Sequence, residues 1–232
     1  MAPRSRTTPL SRDAVLRAAV EVADERGVAA VSMRAVAQLL GVEAMSLYHY
    51  VRSKDEIIDA LVDLIFAEIE LPTLNEDWRA AMRRRAASAR AVLGRHTWAV
   101  SLMDSRVSPS PATLRHHDAV IGCLRAAGFD IAGAATAFSL IDSYVYGFVI
   151  QEASLPFTTA DEREAVAAGL FEHLPADAFP HLTEMAEHAL RPDYSYADEF
   201  AVGLDLILDG LEQRLRNGSP GRPAPSLGPG TG

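Results

Sequence analysis

The sequence predicts an all-α protein: a small N-terminal helix-turn-helix domain followed by a larger helical body. Three observations carry this. Nearly every long segment repeats its apolar residues at helical spacing, and none sustains the alternation of a strand. Residues 33–51 lay out helix, glycine turn and second helix. The charge is also divided: residues 1–54 carry eight basic and five acidic side chains, a net +3, whereas the remainder carries −12 within an overall −9. A basic head on an acidic body suits a module that meets phosphate joined to one that does not.

The first helix starts at the N-cap Ser11. Val15, Ala18, Ala19 and Val22 fall on one face, and Gly27 stops it. Ser32 caps a second helix with inner face Val36, Ala37 and Leu40, closed by Gly41. A short third helix covers Glu43–Tyr50. Ser53 and Glu56, at capping-box spacing, open a fourth with stripe Ile57, Ile58, Leu61, Leu64 and Ile65. Further helices are predicted over Glu76–Gly94, Pro111–Ala127, Ile131–Glu152, Arg163–Phe171, His181–Leu190 and Tyr196–Arg216, with a loop over 154–162. The last carries a broad stripe of Phe200, Ala201, Leu204, Ile207, Leu208, Leu211 and Leu215. Residues 1–9 read as a flexible arm, and the Pro- and Gly-rich 217–232 as a disordered tail.

Composition excludes several classes. With 232 residues, 49% hydrophobic and 23% charged, the chain has ample core material. Its single cysteine, Cys123, allows neither an internal disulfide nor a four-thiolate zinc site, which fits a reducing cytoplasm. The N-terminus lacks the apolar stretch of a secretory signal. Ile131–Ile150 holds one charge, Asp142, and is long enough to span a bilayer. Its Thr136, Ser139, Ser143, Tyr144 and Tyr146 indicate a buried helix of a soluble protein instead, so no membrane partner is expected.

The third helix carries the functional reading. At 100° per residue, Leu47 and Val51 share the inward side while Met45, Ser46, Tyr48 and His49 project elsewhere. Few charges, short or flat side chains and hydroxyls are what a helix entering the major groove requires. Tyr48 and Ser46 suit phosphate oxygens, His49 a base edge, Met45 a thymine methyl and Arg34 a guanine edge or phosphate. Lys54 stands before the N-H groups that open the fourth helix. A packed helical corner with a solvated outer face would show the same pattern.

With Leu10-Ser11-Arg12 ahead of it and Ser53-Lys54-Asp55 behind, this stretch closely resembles the DNA-binding domain of the TetR family of bacterial repressors. The likeness rests on Gly41, Leu47-Tyr48-His49-Tyr50-Val51 and Lys54 and covers residues 10–65. It implies DNA contact by Arg34, Ala44, Met45, Ser46, Tyr48, His49 and Lys54. The body resembles the tetracycline-repressor branch through its helix order, Ala126-Ala127-Gly128-Phe129 and Tyr146-Gly147-Phe148-Val149-Ile150. The resemblance implies a three-helix helix-turn-helix domain over 10–56 and a helical effector-binding and dimerisation domain over 57–216. The helices Ile131–Glu152 and Tyr196–Arg216 would form a homodimer interface, although an intramolecular core explains their stripes equally well. A dimer would read double-stranded operator DNA.

The branch's metal-ligating pattern is not kept. Val100-Ser101-Leu102-Met103-Asp104 stands where a His is used, and Gln151 where a Glu is used. No cofactor or metal is expected, and the implied effector is an apolar or aromatic molecule other than a tetracycline-magnesium complex. Candidate effector residues are Trp98, Met103, Phe138, Asp142, Tyr146 and Gln151. For Trp98, Phe138 and Met103 packing in a core is the favoured reading, since large apolar residues are usually buried. Asp142 needs satisfying, by ligand or by a neighbouring Arg or hydroxyl.

Other features read as structural. His116-His117-Asp118 diverge by 100° per residue, match no zinc motif and read as a solvated helix face. Arg83-Arg84-Arg85 fan around their helix and suit salt bridges with the acidic body, and Cys123 reads as buried and inert. Two alternatives remain at this stage. One is a DNA-binding regulator controlled by a protein partner or by no ligand; the other is a metal-dependent hydrolase built on residues 116–118. No nucleophile elbow, phosphate loop or metal-binding helix motif supports an enzyme.

Overall fold

A computed structural model describes residues 9–74, 76–103, 111–157, 159–173, 178–191 and 193–217. The arm over 1–8, Asp104 and the tail beyond Asn217 lie outside the described residues. Among the described residues the ordered elements are all helices: α1 (Arg12–Arg26), α2 (Met33–Leu40), α3 (Ala44–Leu47), α4 (Lys54–Glu68), α5 (Trp78–Arg95), α6 (Val100–Met103), α7 (Pro111–Ala126), α8 (Ile131–Ala153), α9 (Ala160–His173), α10 (Pro180–Ala189) and α11 (Tyr196–Arg216).

The helix starts follow from side-chain caps. Ser11, Ser32 and Ser53 each accept the backbone N-H three residues on at 3.1 Å, which removes one of the unpaired donors of a first turn. Gly27 and Gly41 end α1 and α2 with φ of 77° and 67°, where a side chain would be strained. Three departures from the sequence reading have local causes. α3 is shorter than Glu43–Tyr50, and the chain continues through residues 48–50 as turns, with Val51 N-H bonded to Leu47 O at 3.0 Å. α5 begins at Trp78 rather than Glu76, because Asp77 is the N-cap that accepts Ala80 N-H. α9 begins at Ala160, inside the predicted loop. There Thr159 Oγ1 accepts from Glu162 N-H while the Glu162 carboxylate accepts from Thr159 N-H, a reciprocal capping box. Short 3₁₀ turns at Val28–Ala30 and Thr97–Ala99 complete the path.

Two apolar cores result. The first gathers Val15, Leu16, Val22, Val31, Val36, Leu47, Val51, Ile57 and Leu61 among α1 to α4. The second joins α4, α5, α7, α8 and α11 around residues including Ile65, Phe66, Met82, Leu93, Leu124, Ile141 and Leu208. α4 belongs to both: Ile57, Ala60 and Leu61 face the first, and Val62, Ile65, Phe66 and Ile69 the second. α8 has the length and composition to cross a membrane, yet Ala134, Ala137, Ile141, Val145 and Val149 are buried in the second core.

The three consecutive arginines of α5 point in three directions. Arg83 donates to Asp205 at 2.6 Å, Arg84 pairs with Glu70 and Glu76, and Arg85 turns inward to Asp142. These pairs, with Arg79 to Asp209 and Glu212, bind α5 to the surrounding acidic helices.

α8 and α11 meet at a close approach that requires Gly203. Tyr144 stacks on Phe200 with ring centroids 5.5 Å apart, and its hydroxyl donates to the carbonyls of Phe200 and Glu199. A Cβ on residue 203 would lie 2.2 Å from that hydroxyl. Gly203→Ala therefore displaces a ring held at both ends. Overpacking of this kind costs about 1–3 kcal/mol, and the better helix propensity of alanine returns about 1 at most. A lowered midpoint in thermal or urea unfolding is the expected result.

Candidate nucleic-acid interface and effector site

The N-terminal face is built by burying the inner side of α3 and leaving the outer side exposed. Leu47 and Val51 are essentially fully buried, as the helical register requires, whereas Met45 is 74% and Tyr48 49% exposed. His49 and Arg34 are exposed, and Ala44 and Ser46 are partly so. The outer face of α3 thus presents one flexible apolar and one aromatic side chain to solvent beside the buried Leu47 and Val51.

Lys54 closes this face from the start of α4, and its ammonium lies 3.4 Å from Ala29 O. The capping there differs slightly from the expected box. Ser53 caps as predicted, but the Glu56 carboxylate reaches one residue past it to accept Arg52 N-H at 2.8 Å, and this bond holds the carboxyl below its ordinary range. Arg52 is also exposed beside Lys54 and was not singled out from the sequence.

The candidate effector residues do not form one cluster. Asp142 and Tyr146 are together, with the Tyr146 hydroxyl 3.4 Å from Asp142 Oδ2, and Phe138 stands one turn earlier on the same face of α8. Met103 is buried in the body core. Trp98 sits where head and body meet: its indole N-H donates at 2.7 Å to Asp24 of α1, and His96 Nδ1 lies 2.7 Å from the same oxygen. Gln151 is exposed and accepts from the Tyr196 hydroxyl of α11.

At the centre of the body Asp142, a candidate effector residue, comes together with Arg85 and His116, which the sequence analysis read as a salt-bridging residue and a solvated one. Arg85 and Asp142, 2% and 7% exposed, form a buried ion pair at 2.6 Å. Arg85 Nε also donates to His116 Nε2 at 3.0 Å. His116 is 1% exposed, so the expected solvated face over residues 116–118 is corrected: only Asp118 is exposed and His117 is partly buried. The reason is register, since Thr113, His116, Val120, Cys123 and Leu124 form the inward side of α7. Burial and the adjacent Arg85 charge lower the His116 pKa to about 3, so the ring is neutral. Phe66 and His117 lie against it, and Phe138 lies against His117 in turn. The Phe66 ring is 5.2 Å from that of His116, and the His117 ring is 5.0 Å from that of Phe138. Among the described residues, no three His, Cys, Asp or Glu side chains converge as a metal site.

Comparison with known proteins places both parts. Residues 15–61 match the family model described as bacterial regulatory proteins, tetR family, and residues 71–215 match tetracyclin repressor-like, C-terminal domain. The chain is 34% identical to the HTH-type transcriptional repressor DrrR1 of Streptomyces coeruleorubidus, over 88% of this chain and 77% of that one. It is 28% identical to the tetracycline repressor protein class A from transposon 1721 of Escherichia coli, over 89% and 93%. Among solved structures, the Streptomyces coelicolor TetR family protein ActR in complex with actinorhodin superposes with a TM-score of 0.72. Its identity is 26%, over 88% of this chain and 96% of that one.

Two outcomes follow from the buried centre. Asp142→Ala leaves Arg85 charged and unpaired in the core, a change that costs about 3–5 kcal/mol, whereas joint replacement of both by apolar residues costs less; urea unfolding of the two variants tests the ordering. Stability also falls with acid. His116 binds no proton when folded until pH approaches 3 but binds one near 6.5 when unfolded, so its contribution is complete above pH 6.5 and is lost as pH falls below it. The slope approaches about 1.4 kcal/mol per pH unit, and His116→Gln removes it between pH 6.5 and 5.

Proposed function

The chain belongs to the TetR family and is a ligand-responsive transcriptional regulator, and we propose that it represses by binding a palindromic operator as a homodimer through α3, from which a small apolar or aromatic effector releases it. The observation that carries this reading is the outer face of α3, where Met45 and Tyr48 stand exposed beside the fully buried Leu47 and Val51. Arg34, Ala44, Met45, Ser46, Tyr48, His49 and Lys54 are the proposed DNA contacts. Ala44 offers only a methyl group and adds little hydrogen-bonded specificity. Two such heads related by a two-fold axis read successive major grooves about 34 Å apart.

Residues 10–56 are the proposed DNA-binding head and 57–216 the effector-binding and dimerisation body, with α4 shared between them. Exposed apolar residues on α8 (Leu140 and Ile150) and α11 (Val202 and Leu206) support a dimer face on these two helices. Effector control is supported by the ligand-bound structures of ActR, one with actinorhodin. Phe138, Asp142 and Tyr146, together on α8, remain the proposed effector residues best supported as a group, with Trp98, Met103 and Gln151 more distant candidates. A regulator of this kind works in the cytoplasm and is not an enzyme; the buried, Arg85-bonded His116 and the outward Asp118 argue against a hydrolytic centre at residues 116–118.

The operator assignment is tested by mobility shift with the DNA flanking the protein's own gene at two salt concentrations. A discrete dimer complex that weakens with salt is expected. Tyr48→Ala is expected to reduce operator affinity about tenfold, within the range of one lost specific contact, while sedimentation still reports a dimer. Unchanged affinity would remove this face from the interface.

A further inference from the structure

α4 and α7 pack together, and each carries a buried polar atom with no hydrogen-bond partner: Asp63 Oδ1 and His116 Nδ1. The two are of opposite sense. Arg85 Nε-H donates to His116 Nε2, so that nitrogen holds a free lone pair and the neutral ring carries its hydrogen on Nδ1. His116 is therefore an unused donor and Asp63 Oδ1 an unused acceptor. Leaving either unpaired costs about 1–3 kcal/mol, more for a charged group, so a group that pairs with either one is favourably held.

Their surroundings narrow that partner. Asp63 lies one helical turn before Phe66 on the same face of α4, and Phe66 lies against the rings of His116 and His117, with Phe138 beyond. The walls are aromatic. Arg85, the cation nearest the donor, is already neutralised by Asp142, so it offers little to a ligand carboxylate.

We propose that the seam between α4 and α7 receives the polar end of an uncharged aromatic effector, whose carbonyl or ether oxygen accepts from His116 Nδ1 and whose hydroxyl donates to Asp63. The proposal rests on the effector-controlled reading above and names the effector's chemical class. The two contacts have different consequences. His116 lies within the body and sets affinity. Asp63 lies on the helix that begins at Lys54 on the proposed DNA face, so the bond to it couples occupancy to the position of the head.

Binding is read on the full chain without DNA, by quenching of tryptophan fluorescence and by calorimetry. The probes are 6-hydroxyflavone and 2,6-dihydroxyanthraquinone, each compared with its parent lacking hydroxyls, and anthraquinone-2-carboxylate as the charged control. At least one hydroxylated probe is expected to bind. His116→Leu weakens it tenfold or more, and His116→Gln, which still accepts from Arg85 and still offers an N-H, weakens it less. Asp63→Leu erases the preference for the hydroxylated probe over its parent. In wild-type protein the hydroxylated probe releases operator DNA more effectively than the parent at equal occupancy.

Failure of both scaffolds to bind, unchanged affinity in His116→Leu, or equal binding of the carboxylate overturns the proposal. Nitrogen-15 spectra of the histidines at pH 7 test the anchor without a ligand or a variant, and a proton on Nε2 of His116 overturns it as well. Because binding is measured off DNA, a chain that binds the probes but no operator refutes the regulator reading alone. Operator binding with none of these probes bound refutes the inference alone.

Discussion

The body is organised around a charge that cannot reach water. Arg85 extends from α5 into the core, and desolvating a guanidinium costs several kcal/mol unless a counter-charge and further acceptors meet it. Asp142 of α8 provides the charge and His116 of α7 an additional acceptor, so one side chain fixes three helices relative to one another. This constraint also determines a tautomer. By occupying Nε2, Arg85 assigns the His116 proton to Nδ1 and leaves a donor of known direction in an aromatic setting. Burial keeps the ring uncharged in the first place, and a proton there would also put a second cation beside Arg85.

Asp142 therefore has a different meaning from that suggested by its isolation in the sequence. A lone carboxylate in twenty otherwise uncharged residues needs a partner, and the choice between an effector and a neighbouring arginine was open on sequence grounds. The arginine is present, 57 positions away. Asp142 is thereby a residue that holds Arg85, and through Arg85 orients His116; any contact with effector adds to that work. The neighbouring Arg83 and Arg84 show the contrast. They lie on exposed or half-exposed sides of α5 and pair with surface carboxylates, where screening leaves each pair worth little.

Local signals were legible where the chain itself supplies the physics. Ser11, Ser32 and Ser53 cap their helices, Gly27 and Gly41 close theirs, and the 100° rule placed Leu47 and Val51 inside. Two further signals were present but outweighed. Thr159 and Glu162 have capping-box spacing, yet the preceding Pro156 and Thr158 made the stretch read as loop. His116 continues the stripe of Val120, Cys123 and Leu124, yet its polarity and its neighbours suggested solvent. What no local reading supplies is the pairing of Arg85 with Asp142 and His116, since each contact joins different helices and depends on how three amphipathic faces meet. The separation of Gln151 from Asp142, by contrast, is legible locally: nine residues at 100° each set them on opposite sides of α8, one towards the core and the other towards α11.

α4 is where these two levels join. Its first turns complete the core of the head and its last turns the core of the body, so it cannot shift as a rigid rod without disturbing both. A second tie limits the alternatives: Asp24 of α1 accepts from Trp98 and lies against His96, fastening the head to the end of α5. A head held by one helix and one polar clasp has few ways to move. An effector bound as proposed beside Phe66 and Asp63 would act on the body half of α4, with the clasp at Asp24 limiting how the head follows. Coupling of the proposed kind therefore has to turn the head as a unit, because α4 shares its first turns with the core of Val15, Val22, Val36 and Leu47.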